Sequence, residues 1–98
     1  MSDGFIRYVY LMSHRPGGKT TPEMTKAHIE HVRKLDEEGR LVLCGPFKDY
    51  KGGMVVIKAE SSEAARAIAE SDPFIKEGFE TYELRTWELG CRENNFLG

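Results

Sequence analysis

The chain has 98 residues, with 14 basic against 16 acidic side chains and a net charge of −2. That length suits a single domain, residues 1–98, with one modest core, and the mixed, slightly acidic charge leaves no basic footprint for nucleic acid. No apolar run is long enough for a transmembrane helix, and Met1-Ser2-Asp3-Gly4 does not read as a secretory signal. Cys44 and Cys91 show no Cys-x-x-Cys spacing, which fits a reduced, cytoplasmic protein with Cys44 as a small buried hydrophobe.

Gly4 to Met12 is aromatic and β-branched, so it reads as a strand. Pro16, Gly17 and Gly18 mark a loop over Ser13 to Thr20. Thr21-Pro22-Glu23 opens a helix: the threonine oxygen accepts from an orphan N–H, proline suits the first helical position, and the carboxylate favours the positive end of the dipole. The helix runs to about Glu38, where Gly39 supplies a left-handed stop. At about 100° per residue, Met24, His28, His31 and Leu35 fall along one stripe, with Ala27 and Val32 beside it.

Leu41 to Cys44 and Met54 to Lys58 read as a hairpin, the first strand ending at Gly45-Pro46. Ser61 or Ser62 caps a second helix with Ala64, Ala65, Ile68 and Ala69 on its apolar face. Asp72-Pro73 opens a short further helical turn, Gly78 closes it, and Phe79 to Leu89 forms the last strand. The tail, 90–98, carries no assignment. The order β-α-β-β-α-β predicts a ferredoxin-like α+β fold, a four-stranded antiparallel sheet with two helices on one face and a core over residues 5–89.

Two helices cover one face of such a sheet, and strand side chains alternate between faces. Ile6, Tyr8, Tyr10 and Met12 share one face, and Phe5, Val9 and Leu11 the other. Leu41 and Leu43 oppose Val42 and Cys44, and Met54 and Val56 oppose Val55 and Ile57. Three strands are therefore apolar on both sides, which predicts a homodimer packed sheet to sheet. The competing arrangement is a monomer whose tail folds across the open face.

His28 lies on the stripe of the first helix that should be buried, and Asp72 stands before Pro73. A histidine and a carboxylate that meet beside a pocket form a general acid/base unit. Asp72 also suffices as a helix cap, and the two roles are compatible because a carboxylate has two oxygens. Tyr8, His14, His31 and Pro46 are candidate substrate contacts. Tyr8 and Tyr10 either place hydroxyls in a pocket or pack on the dimer face, and His14 lies in the loop at a pocket mouth. His28 and His31 have no third ligand at a persuasive spacing, so no metal site is expected. No phosphate-binding glycine motif or nucleophile elbow is present, so no organic cofactor is expected either.

The order and spacing of His28, Leu35, Glu38-Gly39-Arg40-Leu41, Gly45-Pro46, Gly53, Ser62-Glu63-Ala64-Ala65, Asp72-Pro73-Phe74, Gly78 and Trp87 resemble the YCII-related (YciI-like) family over about residues 5 to 89. The resemblance implies a ferredoxin-like fold of the dimeric α/β-barrel type that pairs through its sheets. It also implies an active site made of a histidine and an aspartate, by position His28 and Asp72. Some members resemble enzymes of aromatic degradation, such as dehydrochlorinases and muconolactone-isomerase-like proteins. Others occur fused or adjacent to transcription regulators.

Two functions follow as expectations. The first is a cofactor-independent lyase or isomerase, with His28 transferring a proton to or from a small cyclic or carbonyl-bearing molecule and Asp72 holding the imidazole. The second is a non-catalytic module that binds a small metabolite or a protein partner. Neither involves nucleic acid or a membrane.

Overall fold

The computed structural model describes residues 2–97. Met1, which heads the segment read for a targeting signal, and Gly98, which ends the tail, lie outside the described residues. The elements are β1 (Ile6–His14), α1 (Pro22–Glu37), β2 (Leu41–Pro46), β3 (Gly52–Ile57), α2 (Ser62–Ser71), α3 (Pro73–Lys76) and β4 (Glu80–Glu88). Single 3-10 turns at Ser2–Phe5 and Arg92–Asn94 flank them. The sheet is antiparallel throughout, in the order β2-β3-β1-β4. This is the ferredoxin-like α+β fold of the dimeric α/β-barrel class.

Local chemistry sets the helix ends. The Thr21 side chain accepts from Met24 N–H with Pro22 in the first turn, and Ser61 accepts from Ala64 N–H at the start of α2. Gly39 follows α1 with φ of +75°, a conformation that costs glycine nothing and other residues a Cβ clash. The core lies between the helices and one face of the sheet. Tyr10, Val55 and Ile57 rise from the sheet to meet Leu35 of α1 and Ala65 and Ala69 of α2. The two alanines let α2 approach the strands closely.

Several expectations need correction. β1 begins after a 3-10 turn rather than at Gly4, and it runs on through His14, because His14 N–H donates to Lys51 O and Arg15 N–H to Phe79 O. His14 is therefore a strand residue held on both sides, not a loop residue. In β2 the register shifts between Leu41 and Leu43, so Leu41 pairs with Ile57 and Leu43 with Val56. That bulge sends the two leucines to opposite faces, where simple alternation had placed them together. Cys44 is exposed because β2 is an edge strand, and Ala27 on α1 is exposed as well.

The helix-free face carries Val9, Leu11, Met54, Val56, Leu43 and Trp87. Leu43 is 63% and Trp87 44% exposed. Phe96 and Leu97 are exposed in turn, so the apolar side chains of the tail do not shield this face. Among the described residues, no helix is long and apolar enough to cross a membrane.

Candidate functional site

The site is built where α1, the α2–α3 junction and the centre of the sheet converge. Asp72 ends α2 and caps α3, and Pro73 takes the first position of α3. Its Oδ1 accepts from Phe74 N–H at 3.1 Å, the helix-opening role that an Asp-Pro pair predicts. The carboxylate is fully buried, so its remaining lone pairs need partners from the protein. Tyr10, from the middle of β1, donates its hydroxyl to Oδ2 at 2.9 Å. His28 Nδ1 lies 2.9 Å from both Oδ1 and Oδ2.

An ionised carboxylate accepts hydrogen bonds and donates none. Facing such a carboxylate, His28 would carry its ring proton on Nδ1, which in the neutral imidazole leaves the lone pair on Nε2. Burial, and after it the adjacent Asp72 charge, pushes the Tyr10 hydroxyl pKa far above its ordinary value, so Tyr10 serves as a fixed donor. Phe74 stacks on the other side of the imidazole, with ring centroids 4.4 Å apart and planes inclined by 22°. The ring is thus gripped at its edge by a carboxylate and on one face by an aromatic plane.

His28 sits where two stripes of α1 meet. Leu35 points into the core, whereas Thr25, Ile29 and Val32 line a cavity of about 420 Å³ together with His28. This volume is in the range that holds a small organic molecule. Met12, Val55 and Phe74 supply further apolar wall. Gly45-Pro46 of β2 and Gly52-Gly53 of β3 form the hairpin side. Gly52 is required there, because a Cβ at this position would sit 2.0 Å from Met12 O. Among the described residues His28 Nε2 makes no hydrogen bond within the chain, and it is not one of the sealed, unpartnered atoms.

The remaining predicted contacts divide. His14 and Pro46 line the cavity. Tyr8 packs in the core instead and is not part of the cavity wall. His31 is absent from the cavity wall: its Nε2 is sealed without a partner, and burial pushes its pKa down, toward the neutral form. Thr20, at the end of the loop after β1, reaches the cavity as expected of a loop beside the mouth.

The sequence reading left some of these residues unresolved or unnoticed. Tyr10 was one of two equivalent tyrosines on one face of β1 whose hydroxyls could enter a pocket, and only long-range packing selects it. Phe74 was legible only as part of Asp72-Pro73-Phe74. Glu80 is the clearest omission. It alternates with Tyr82 and Leu84, which both pack on the core, so a charged residue at a core-facing position was the available signal. Cys44 also lines the cavity. Among the described residues, no cluster of three or more histidine, cysteine or acidic side chains is arranged to hold a metal ion.

Comparisons with known proteins agree with this architecture. The chain is 37% identical over 82 residues to the uncharacterized protein YjpA of Bacillus subtilis, covering 84% of this chain and 96% of that protein. It is 34% identical over 62 residues to protein YciI of Escherichia coli, covering 53% of this chain and 63% of that one. Among solved structures it is similar to 5-chloro-2-hydroxyhydroquinone dehydrochlorinase from Burkholderia phenoliruptrix, in complex with 2,5-dihydroxybenzoquinone. There the TM-score is 0.67 at 22% identity, over 86% of this chain and 95% of that one, a likeness of fold. The sequence model of the YCII-related domain matches residues 6–88, and this chain belongs to the YCII-related family.

Proposed function

We propose that this protein is a small lyase or isomerase that works by proton transfer, with His28 as general base and Asp72 as the group that orients it. The observation that carries the reading is the 2.9 Å contact of His28 Nδ1 with both Asp72 oxygens, beside a cavity with mainly apolar walls. A histidine held through Nδ1 offers Nε2 as a base near neutral pH, and such a positioned base contributes roughly 10²–10⁴-fold to rate. Apolar walls and the Phe74 ring suit a small cyclic, carbonyl-bearing or aromatic-derived substrate. The dehydrochlorinase of similar fold supports that class.

In an elimination of this kind, His28 Nε2 takes a proton from the substrate. The electron pair of the broken O–H or C–H bond forms a new double bond, and the C–Cl bond breaks to release chloride. In an isomerisation the same proton is removed from one carbon and returned to another. Neither route requires a group beyond the side chains of the site. Self-association belongs to the same reading: the exposed Leu43 and Trp87 lie on a helix-free apolar face that a second copy covers.

The test is a screen of chlorinated hydroxyquinones and cyclic enones, read by chloride release and ultraviolet absorbance, with wild type beside His28→Asn. Turnover by wild type that falls at least about 10²-fold in the variant supports the reading. Equal rates in both, or loss of folding stability in the variant with no wild-type turnover, favour a binding module in which the pair is structural.

A further inference from the structure

A second imidazole and a second carboxyl open on the same cavity. His14 ends β1, Glu80 begins β4, and the two are cross-strand partners in the register. The Glu80 side chain is only 4% exposed and lies on the helix face of the sheet, where an apolar residue would pack without cost. A carboxyl in that position destabilises a fold unless it is partnered. Yet Glu80 Oε1 is sealed with no hydrogen-bond partner within the chain, and so is His14 Nδ1. The two orphaned atoms face each other at 3.7 Å. Closing that gap by roughly 1 Å would bring them within hydrogen-bonding distance and satisfy both at once.

The arrangement repeats the logic of His28 and Asp72. In each pair the imidazole turns Nδ1 to a buried carboxyl, which leaves Nε2 for the other side of the ring. His14 Nε2 is not among the sealed, unpartnered atoms. His14 lines the cavity that holds His28 and also the open basin formed by Arg15 to Thr20, so it stands where the cavity meets the loop. Hydrogen bonds of catalytic groups are often long before a substrate is bound and tighten in the complex.

We propose that His14 and Glu80 form a second histidine–carboxyl pair serving the same reaction, with His14 as the proton donor that complements His28 and Glu80 as its positioning residue. This rests on the reading of His28 as a base. In the step, His28 Nε2 takes a proton from the substrate while the imidazolium of His14 releases its Nε2 proton to the substrate oxygen that gains the electron pair. His14 ends neutral with Nδ1–H directed at Glu80, His28 ends as imidazolium, and proton exchange with water restores both. Acid and base roles separate when two titratable groups lie in different environments. Burial holds the Glu80 carboxyl above its ordinary range; the Asp72 charge adds to that shift, whereas His14 and His28 oppose it.

The experiment uses 2-bromoacetophenone, a small aromatic ketone that alkylates a bare imidazole nitrogen: the ring lone pair forms the N–C bond and bromide leaves. Modified residues are mapped by peptide mass spectrometry, and ring tautomers are read from long-range ¹H–¹⁵N spectra. In wild type, His14 and His28 are both modified, and neutral His14 carries its proton on Nδ1. Glu80→Leu slows modification of His14 by about tenfold and shifts its proton to Nε2, while His28 is unchanged. Glu80→Gln, which keeps an acceptor at the same place, restores most of the rate, a rescue that a packing role would not produce. Both variants replace an unpartnered buried carboxyl with a neutral group, and far-UV circular dichroism checks that they fold. An Nε2–H tautomer at His14 in wild type, or modification of His14 that is absent or indifferent to Glu80→Leu, overturns the proposal. Modification of His14 as expected with none at His28 instead contradicts the base role of His28.

Discussion

The Tyr10 hydroxyl donates to Asp72 Oδ2 at 2.9 Å, across 62 positions of sequence. This contact ties the central strand of the sheet to the junction between α2 and α3. It also sets the carboxylate that holds His28, so one buried hydrogen bond serves both the core and the site. Tyr10→Phe keeps the ring and removes only the donor. It should cost about 1.5–3 kcal/mol of stability, the usual worth of a hydrogen bond to a charged group, measured by urea denaturation. A loss below about 0.5 kcal/mol would mean that Asp72 has no need of this donor.

Glu80 predicts the pH dependence of stability. Its carboxyl is raised above the ordinary 4.5, first by burial. A raised folded-state pKa means that the fold favours the protonated form. The associated stability is therefore fully present below the unfolded value and is lost as pH rises through the higher folded value. Glu80→Gln lacks this loss. The melting temperature of the variant relative to wild type should rise between about pH 4 and pH 8, with each kcal/mol worth roughly 4–8 °C in a domain of this size. A difference that stays flat across that range would show that Glu80 is not held above its ordinary pKa.

Much of the fold and part of the site can be read from the residues, for identifiable reasons. Periodicity and caps are local, so Thr21-Pro22, Gly39, Ser61 and Asp72-Pro73 announce their helices before any packing is known. The meeting of His28 with Asp72 is not local. It follows from the order of elements and from the family resemblance, because no spacing rule connects residues 44 positions apart. Tyr8 and Tyr10 look alike in a strand of alternating faces, and only the packing of distant elements decides that Tyr10 is the one that reaches the carboxylate. Leu43 was grouped on one face with Leu41 because a bulge adds a residue without any sequence mark. His14 was placed in a loop because Pro16 and Gly17 overshadowed the two flanking strands that hold it.

The helix-free face yields a prediction about assembly. Leu43 is 63% exposed and neighbours Val56 in register, so it stands on the edge strand of the helix-free face assigned to a second copy. Leu43→Glu would place a carboxylate in that contact, where desolvation is costly. Sedimentation velocity should show a dimer for wild type and a monomer for the variant, with circular dichroism unchanged. A wild-type monomer at micromolar concentration would contradict pairing through this face.

The central claim is that Asp72 fixes His28 with its proton on Nδ1 and its lone pair on Nε2, beside the cavity. The most direct measurement is the ring tautomer of His28, from long-range ¹H–¹⁵N spectra of the wild-type protein at a pH where the ring is neutral. The account predicts a protonated Nδ1 and a bare Nε2, with the preference lost in Asp72→Asn. A neutral His28 that carries its proton on Nε2 would leave no base facing the cavity and would contradict it.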